Sequence, residues 1–100
     1  MSNRERQKGL RGQQEVQRIL RGAGFDLRTL GAQGDSLAFS AFGTMFHVEV
    51  KRQERLRLWD WLAQAQAESM NGAVPIVCFR KSRGEWYACL PLSDLVRMGN

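Results

Sequence analysis

The pentapeptide His47-Val48-Glu49-Val50-Lys51 constrains this chain more than any other stretch. Its alternating valines mark an extended strand, with Val48 and Val50 on one face and Glu49 and Lys51 on the other. Opposite charges two residues apart on an otherwise apolar strand are costly to bury unless they serve each other, a metal or a substrate. A carboxylate holds a divalent cation, and a neighbouring ammonium stabilises developing negative charge or positions a water. The plain alternative is a salt-bridged edge strand.

The chain has 100 residues, enough for one domain with a single core, over residues 1–100. A hydrophobic share of 43% argues for folding rather than disorder. The net charge of +5 and a pI near 10.0 favour an acidic partner, of which nucleic acid is the commonest. Cys78 and Cys89 lack metal-ligand spacing, and the chain has one histidine, so a zinc site is not expected. Two buried free thiols suit a reducing cytoplasm. No stretch reads as a signal peptide or as a membrane span, and there is no internal repeat.

In chain order, Asn3 to Arg21 reads as a helix with an apolar stripe of Val16, Ile19, Leu20 and Ala23, ended by Gly22-Ala23-Gly24. Glu15 borders its inward face. Arg4, Arg6, Lys8, Arg11, Arg18 and Arg21 give it a basic surface that suits a phosphate backbone. Phe25 to Leu30 reads as a strand, followed by a glycine-containing loop before Asp35. Leu58 to Met70 reads as a second helix, with Trp59, Trp61, Leu62 and Ala65 apolar almost all round, as for a helix packed on a sheet. Gln64 and Glu68, four apart, share one side and either pair with each other or lean toward the strand carboxylates. Val74 to Phe79 is an apolar run as in a central strand. Arg80 to Gly84 is a basic turn, Glu85 to Leu90 a further strand, and Pro91 to Val96 a short closing helix.

Asp35 to Ala41 and Met45 to Lys51 read as a hairpin. With Ala41-Phe42-Gly43 as a three-residue loop carrying glycine at its left-handed position, Ser40 pairs with Thr44. That register sets Asp35 opposite Glu49, with Cβ atoms about 5 Å apart and Lys51 diagonal to them. Such carboxylates repel unless a proton or a metal lies between them. A slip of one residue would carry Asp35 to the other face. His47 falls opposite Leu37 in this register and reads as a core histidine.

The order helix, three strands, helix, two strands, short helix, with Glu15, Asp35, Glu49 and Lys51 at these places, resembles the PD-(D/E)xK nuclease fold: α/β, an αβββαββα core with a mixed sheet flanked by helices. Gly34-Asp35 stands where the family has its Pro-Asp element, and Glu49-Val50-Lys51 where it has (D/E)xK. The chain is most similar to small Holliday junction resolvases and related phage and bacterial endonucleases. Lys8-Gly9 with Glu15 resembles the first helix of the archaeal type. Gln64-Ala65, Glu68, Val74-Pro75-Ile76-Val77 and Glu85-Trp86-Tyr87 resemble phage-type relatives.

The resemblance implies a metal-dependent phosphodiesterase acting on DNA. Asp35, Glu49 and the backbone carbonyl of Val50 are the expected ligands of Mg²⁺, for which Mn²⁺ substitutes. Lys51 is expected to hold the attacking water, Glu15 to act through water or behind the ligands, and Gln64 to orient phosphate or Lys51. Arg4, Arg6, Lys8, Arg11, Arg52, Arg55, Arg80, Lys81 and Arg83 are expected along the DNA backbone. A homodimer on branched DNA, in a bacterial or phage-infected cytoplasm and away from membranes, completes the expectation. Its rivals are a non-cutting DNA-binding module of the same fold, a general DNA nuclease without junction preference, and an RNA-binding or assembly protein.

Overall fold

A computed structural model of the protein describes residues 3–30, 36–69 and 72–99, with the side chains of residues 3–8 and of Leu30 outside the description. The elements run α1 (Asn3–Gly22), β1 (Asp26–Leu30), β2 (Ser36–Ala41), β3 (Thr44–Arg52), α2 (Leu58–Glu68), β4 (Val74–Arg80), β5 (Tyr87–Cys89) and α3 (Leu92–Met98). The architecture is α/β, a five-stranded mixed sheet in the order β1-β2-β3-β4-β5 with three helices. β1, β2, β3 and β4, β5 pair antiparallel; β3 and β4 pair parallel. A parallel pair needs a crossover, and α2 is that crossover. No helix of the described residues is long and apolar enough to cross a membrane.

The strand and helix order matches the reading from sequence, with shifted ends. β5 is confined to Tyr87–Cys89, and α3 runs on to Met98. Within α2 only Trp61 and Ala65 are buried, whereas Trp59 is 86% exposed, so this helix is apolar on one face and not almost all round. Cys78 and Cys89 are free thiols. They stand on opposite faces of the sheet, since Cys78 pairs with Ala88 and Cys89 with Val77. Burial pushes the Cys78 thiol up to about 11, which keeps it a neutral packing group.

The hairpin corrects the expected register. Ala41 pairs with Thr44, Ser40 with Met45 and Leu37 with Val48, one residue away from the pairing of Ser40 with Thr44. The connection is a two-residue turn in which Phe42 and Gly43 both take positive φ, 54° and 69°. Two left-handed residues in succession give the turn whose twist matches the flanking strands. Phenylalanine is an uncommon occupant of that conformation, and its ring lies 6.4 Å from that of Phe25. His47 therefore faces Ala38, not Leu37. The pairing of Asp35 with Glu49 does not follow from this register, and Asp35 itself lies outside the described residues.

Two cores sit on the two faces of the sheet. On the α1 face, Val16 meets Leu37, Phe39, Phe46, Val48 and Val74, with Phe39 stacked on Phe46 at 4.7 Å between ring centroids. On the α2 face, Trp61 and Ala65 close over Val77, and Trp61 lies 5.9 Å from Phe79. α1 approaches β3 at Gly12, where a methyl group would sit 3.2 Å from Arg52 Cβ and 3.5 Å from Val50 Cγ1. A larger side chain forces the helix off the strand. Gly12→Leu is expected to lower stability by about 1–3 kcal/mol, read as a reduced urea midpoint with an unchanged slope.

Candidate metal and phosphate site on the central strand

β3 lies in the middle of the sheet and carries charge on both faces. Alternation sends His47, Glu49 and Lys51 toward α2, and Val48, Val50 and Arg52 toward α1. The two faces solve the problem of buried charge differently.

On the α1 face the charges satisfy one another. Arg80 donates from Nε to Glu15 Oε2 and from Nη2 to Glu15 Oε1, both at 3.0 Å, a fork matched to the carboxylate. Trp86 Nε1–H donates to Glu15 Oε2 at 3.1 Å, and Arg52 Nη1 lies 3.6 Å from Glu15 Oε1. The Arg80 guanidinium also lies over the Trp86 ring, 5.3 Å from its centroid. Glu15 is thus the hub that ties α1 to β3 and β4. The structure gathers it with these groups on the face opposite Glu49. Arg80 and Arg52, expected along the DNA backbone, both engage Glu15, with side chains 11% and 21% exposed.

On the α2 face the charges are less complete. Lys51 Nζ lies 3.3 Å from Glu49 Oε1, with the side chains 18% and 15% exposed. The parallel register sets Glu49 beside Val77 and Lys51 beside Phe79, which places the pair against an apolar floor. Glu68 reaches over from the last turn of α2, and Gln64, one turn earlier, donates from Nε2 to Glu68 Oε1 at 3.2 Å. Gln64 and Glu68 thus meet each other, and Glu68 also reaches Glu49. A nitrogen of His47 and carboxylate oxygens of Glu49 and Glu68 all lie within 4.8 Å of one another. His47 is 3% exposed, and neither ring nitrogen has a hydrogen-bond partner.

Burial lifts the Glu49 carboxyl above its ordinary value of 4.5; Lys51 pulls it back down, and Glu68 pushes it up again through a hydrogen bond and through charge. A carboxylate that pays desolvation and meets a second carboxylate is one that a proton or a cation stabilises.

The remaining expected residues divide by place. Val50 sits in β3 between Glu49 and Lys51, with its side chain turned to the α1 face. Arg11 is exposed on α1, and the side chains of Arg4, Arg6 and Lys8 lie outside the description. Arg55, Lys81 and Arg83 are exposed. β3 and β4 run parallel, so the segment after β3 and the turn after β4 leave from the same end of the sheet. The Ser82 backbone N–H donates to Glu54 there at 2.8 Å, tying the two together. Sequence reasoning passed over His47 as a core residue, although its spacing from Glu49 already puts both on one face. The chain matches no protein-family model and no curated protein.

The raised Glu49 pKa has a definite sign. The folded state holds the Glu49 proton more tightly than the unfolded chain, so the stability it contributes is present below the ordinary value of 4.5 and is lost as pH rises through the elevated folded value. Glu49→Gln removes that loss. Its urea-unfolding free energy is expected to fall less than that of the wild type between pH 4.5 and pH 7.

Proposed function

We propose that the protein is a metal-dependent endonuclease that hydrolyses DNA phosphodiester bonds, of the PD-(D/E)xK kind. The observation that carries this reading is the Glu49–Lys51 pair, drawn together at 3.3 Å on one face of the central strand and largely withdrawn from water. The αβββαββα order and the parallel β3–β4 pair support it. So does the cluster of exposed cations, Arg55, Lys81 and Arg83, at the end of the sheet toward which β3 runs.

The donors on this face fit a divalent cation: two carboxylates within reach of each other, and a buried imidazole with no other partner. Glu49 is the ligand in this reading, and a role for Asp35 rests on the resemblance of Gly34-Asp35 to the Pro-Asp element alone. Mg²⁺, with Mn²⁺ as its substitute, supplies a bound water of lowered pKa and charge neutralisation at a phosphate oxygen. Lys51 holds its ammonium 3.3 Å from Glu49, where it would orient an attacking water and offset negative charge growing on the phosphate oxygens. Gln64 holds Glu68 in place beside Glu49. Arg11, Arg55, Lys81 and Arg83 contact the backbone of the nucleic acid without reading its sequence.

A branched substrate, preferably a four-way junction, and action as a homodimer belong to the same proposal. Matched cuts in two strands call for two matched sites, and twofold association supplies them. Leu92, Leu95 and Val96 of α3 are 73%, 52% and 57% exposed, an apolar helix face that a second copy would cover. A reducing cytoplasm of a bacterium or phage-infected cell suits the two free thiols.

The test is cleavage of junction, flap, single-stranded and duplex DNA with Mg²⁺. The wild type is expected to cut the junction best. Lys51→Ala is expected to retain DNA binding while its cleavage rate falls by about 10²–10⁴-fold. Cutting by Lys51→Ala at the wild-type rate would remove Lys51 from the mechanism, and binding without any cutting by the wild type would leave a DNA-binding module.

A further inference from the structure

The α2 face holds an unexplained group. His47 is 97% buried, on subtracting its 3% exposure from the whole, and both Nδ1 and Nε2 are without a hydrogen-bond partner. Leaving a buried polar group unsatisfied costs about 1–3 kcal/mol. The neighbours that could satisfy it, Ala38 across the β2 ladder and Pro75 across the β4 ladder, offer no polar side chain. What the imidazole does have within 4.8 Å is a carboxylate oxygen from Glu49 and one from Glu68. The two carboxylate oxygens lie within the same 4.8 Å of each other.

We propose that His47, Glu49 and Glu68 form a binding site for one borderline divalent transition-metal cation, of the class of Mn²⁺ and Zn²⁺. The proposal uses the same three donors that the nuclease reading offers its cation, but it does not require that the chain cut DNA. One imidazole nitrogen with two carboxylates is a donor set for such ions; Mg²⁺ prefers oxygen donors throughout and keeps its waters. A cation here takes one of the two orphaned nitrogens as a ligand and removes the repulsion between the carboxylates.

The two halves of the site differ in rigidity. His47 and Glu49 sit on the central strand and are held by the ladders on both sides of it. Glu68 is exposed on the last turn of α2. Around a cation with bonds of about 2.0–2.2 Å, ligand atoms stand roughly 3–4.4 Å apart, so Glu68 is the ligand that closes inward. Gln64 steadies it through its 3.2 Å hydrogen bond, the kind of outer contact whose loss weakens a metal site by about 10–100-fold. Lys51 stays on Glu49 and limits the negative charge of the site, which tempers affinity for small hard cations.

The chain's single histidine makes the test direct. Chelator-treated, full-length protein labelled with ¹⁵N-histidine is titrated with ZnCl₂, and MnCl₂ binding is measured by calorimetry on the wild type, Glu68→Gln and Gln64→Ala. One imidazole nitrogen of His47 is expected to shift and saturate at one equivalent of Zn²⁺. Mn²⁺ is expected to bind at least tenfold more tightly than Mg²⁺, with that affinity reduced about 10–100-fold in Glu68→Gln and less in Gln64→Ala. Glu68→Gln alters an exposed helix end, so folding does not cloud the result. A His47 signal that ignores Zn²⁺, or equal Mn²⁺ affinity in Glu68→Gln and wild type, overturns the site. Those results leave the nuclease reading standing wherever Mg²⁺ still supports cleavage, whereas a responsive His47 in a chain that cuts no DNA keeps the site and ends that reading.

Discussion

The fold depends on α1 lying directly against β3. Gly12 permits the approach, and Glu15 fastens it by gathering Arg52, Arg80 and the Trp86 indole around one carboxylate. This cluster joins the first helix to β3, to β4 and to the segment before β5. It is nearly complete in the sense that matters for a buried charge: the carboxylate has partners on both oxygens, and Arg80 presents its fork to it. Within this cluster, Arg52 Nε is the one buried side-chain nitrogen without a partner among the described residues.

The opposite face of the same strand shows the contrary condition. Glu49 and Lys51 have each other, but Glu49 also meets Glu68, and His47 has nothing. A sheet face closed by Trp61, Ala65, Val77 and Phe79 would be better packed without these charges. Local inconsistency of this kind, set in an otherwise consistent fold, is what a binding or catalytic site costs. The two faces therefore separate two uses of charge: one holds the helix, and the other supplies the donors of the proposed site.

Much of this was legible before the structure. Glycines punctuated the elements, the valine alternation of residues 47–51 put Glu49 and Lys51 on one face, and the apolar run from Val74 marked β4. Three features were not legible, each for a physical reason. Phe42 in the left-handed conformation is a rare turn residue, so the three-residue loop looked better than the two-residue one and the register moved by one. Glu15 and Arg80 are 65 residues apart, and only the packing of α1 on the sheet shows that the carboxylate is already taken. Trp59 and Trp61 are alike in composition, yet two residues along a helix turn a side chain to the far side, and only Trp61 reaches the core. His47 was assigned to the right face, but the absence of a partner shows only once α2 and both neighbouring strands are placed around it.

The central claim is that charge on the α1 face supports the fold while charge on the α2 face is held at its expense. Urea unfolding at pH 7 of the double variant Glu49→Leu/Lys51→Met, set beside Glu15→Gln, measures this directly. The account predicts that the double variant gains stability, by about 1–3 kcal/mol, as well-packed apolar replacements of buried ion pairs do, and that Glu15→Gln loses about 2–4 kcal/mol through the charges it leaves uncompensated. A double variant as destabilised as Glu15→Gln would contradict it, and would make Glu49 and Lys51 one more structural ion pair.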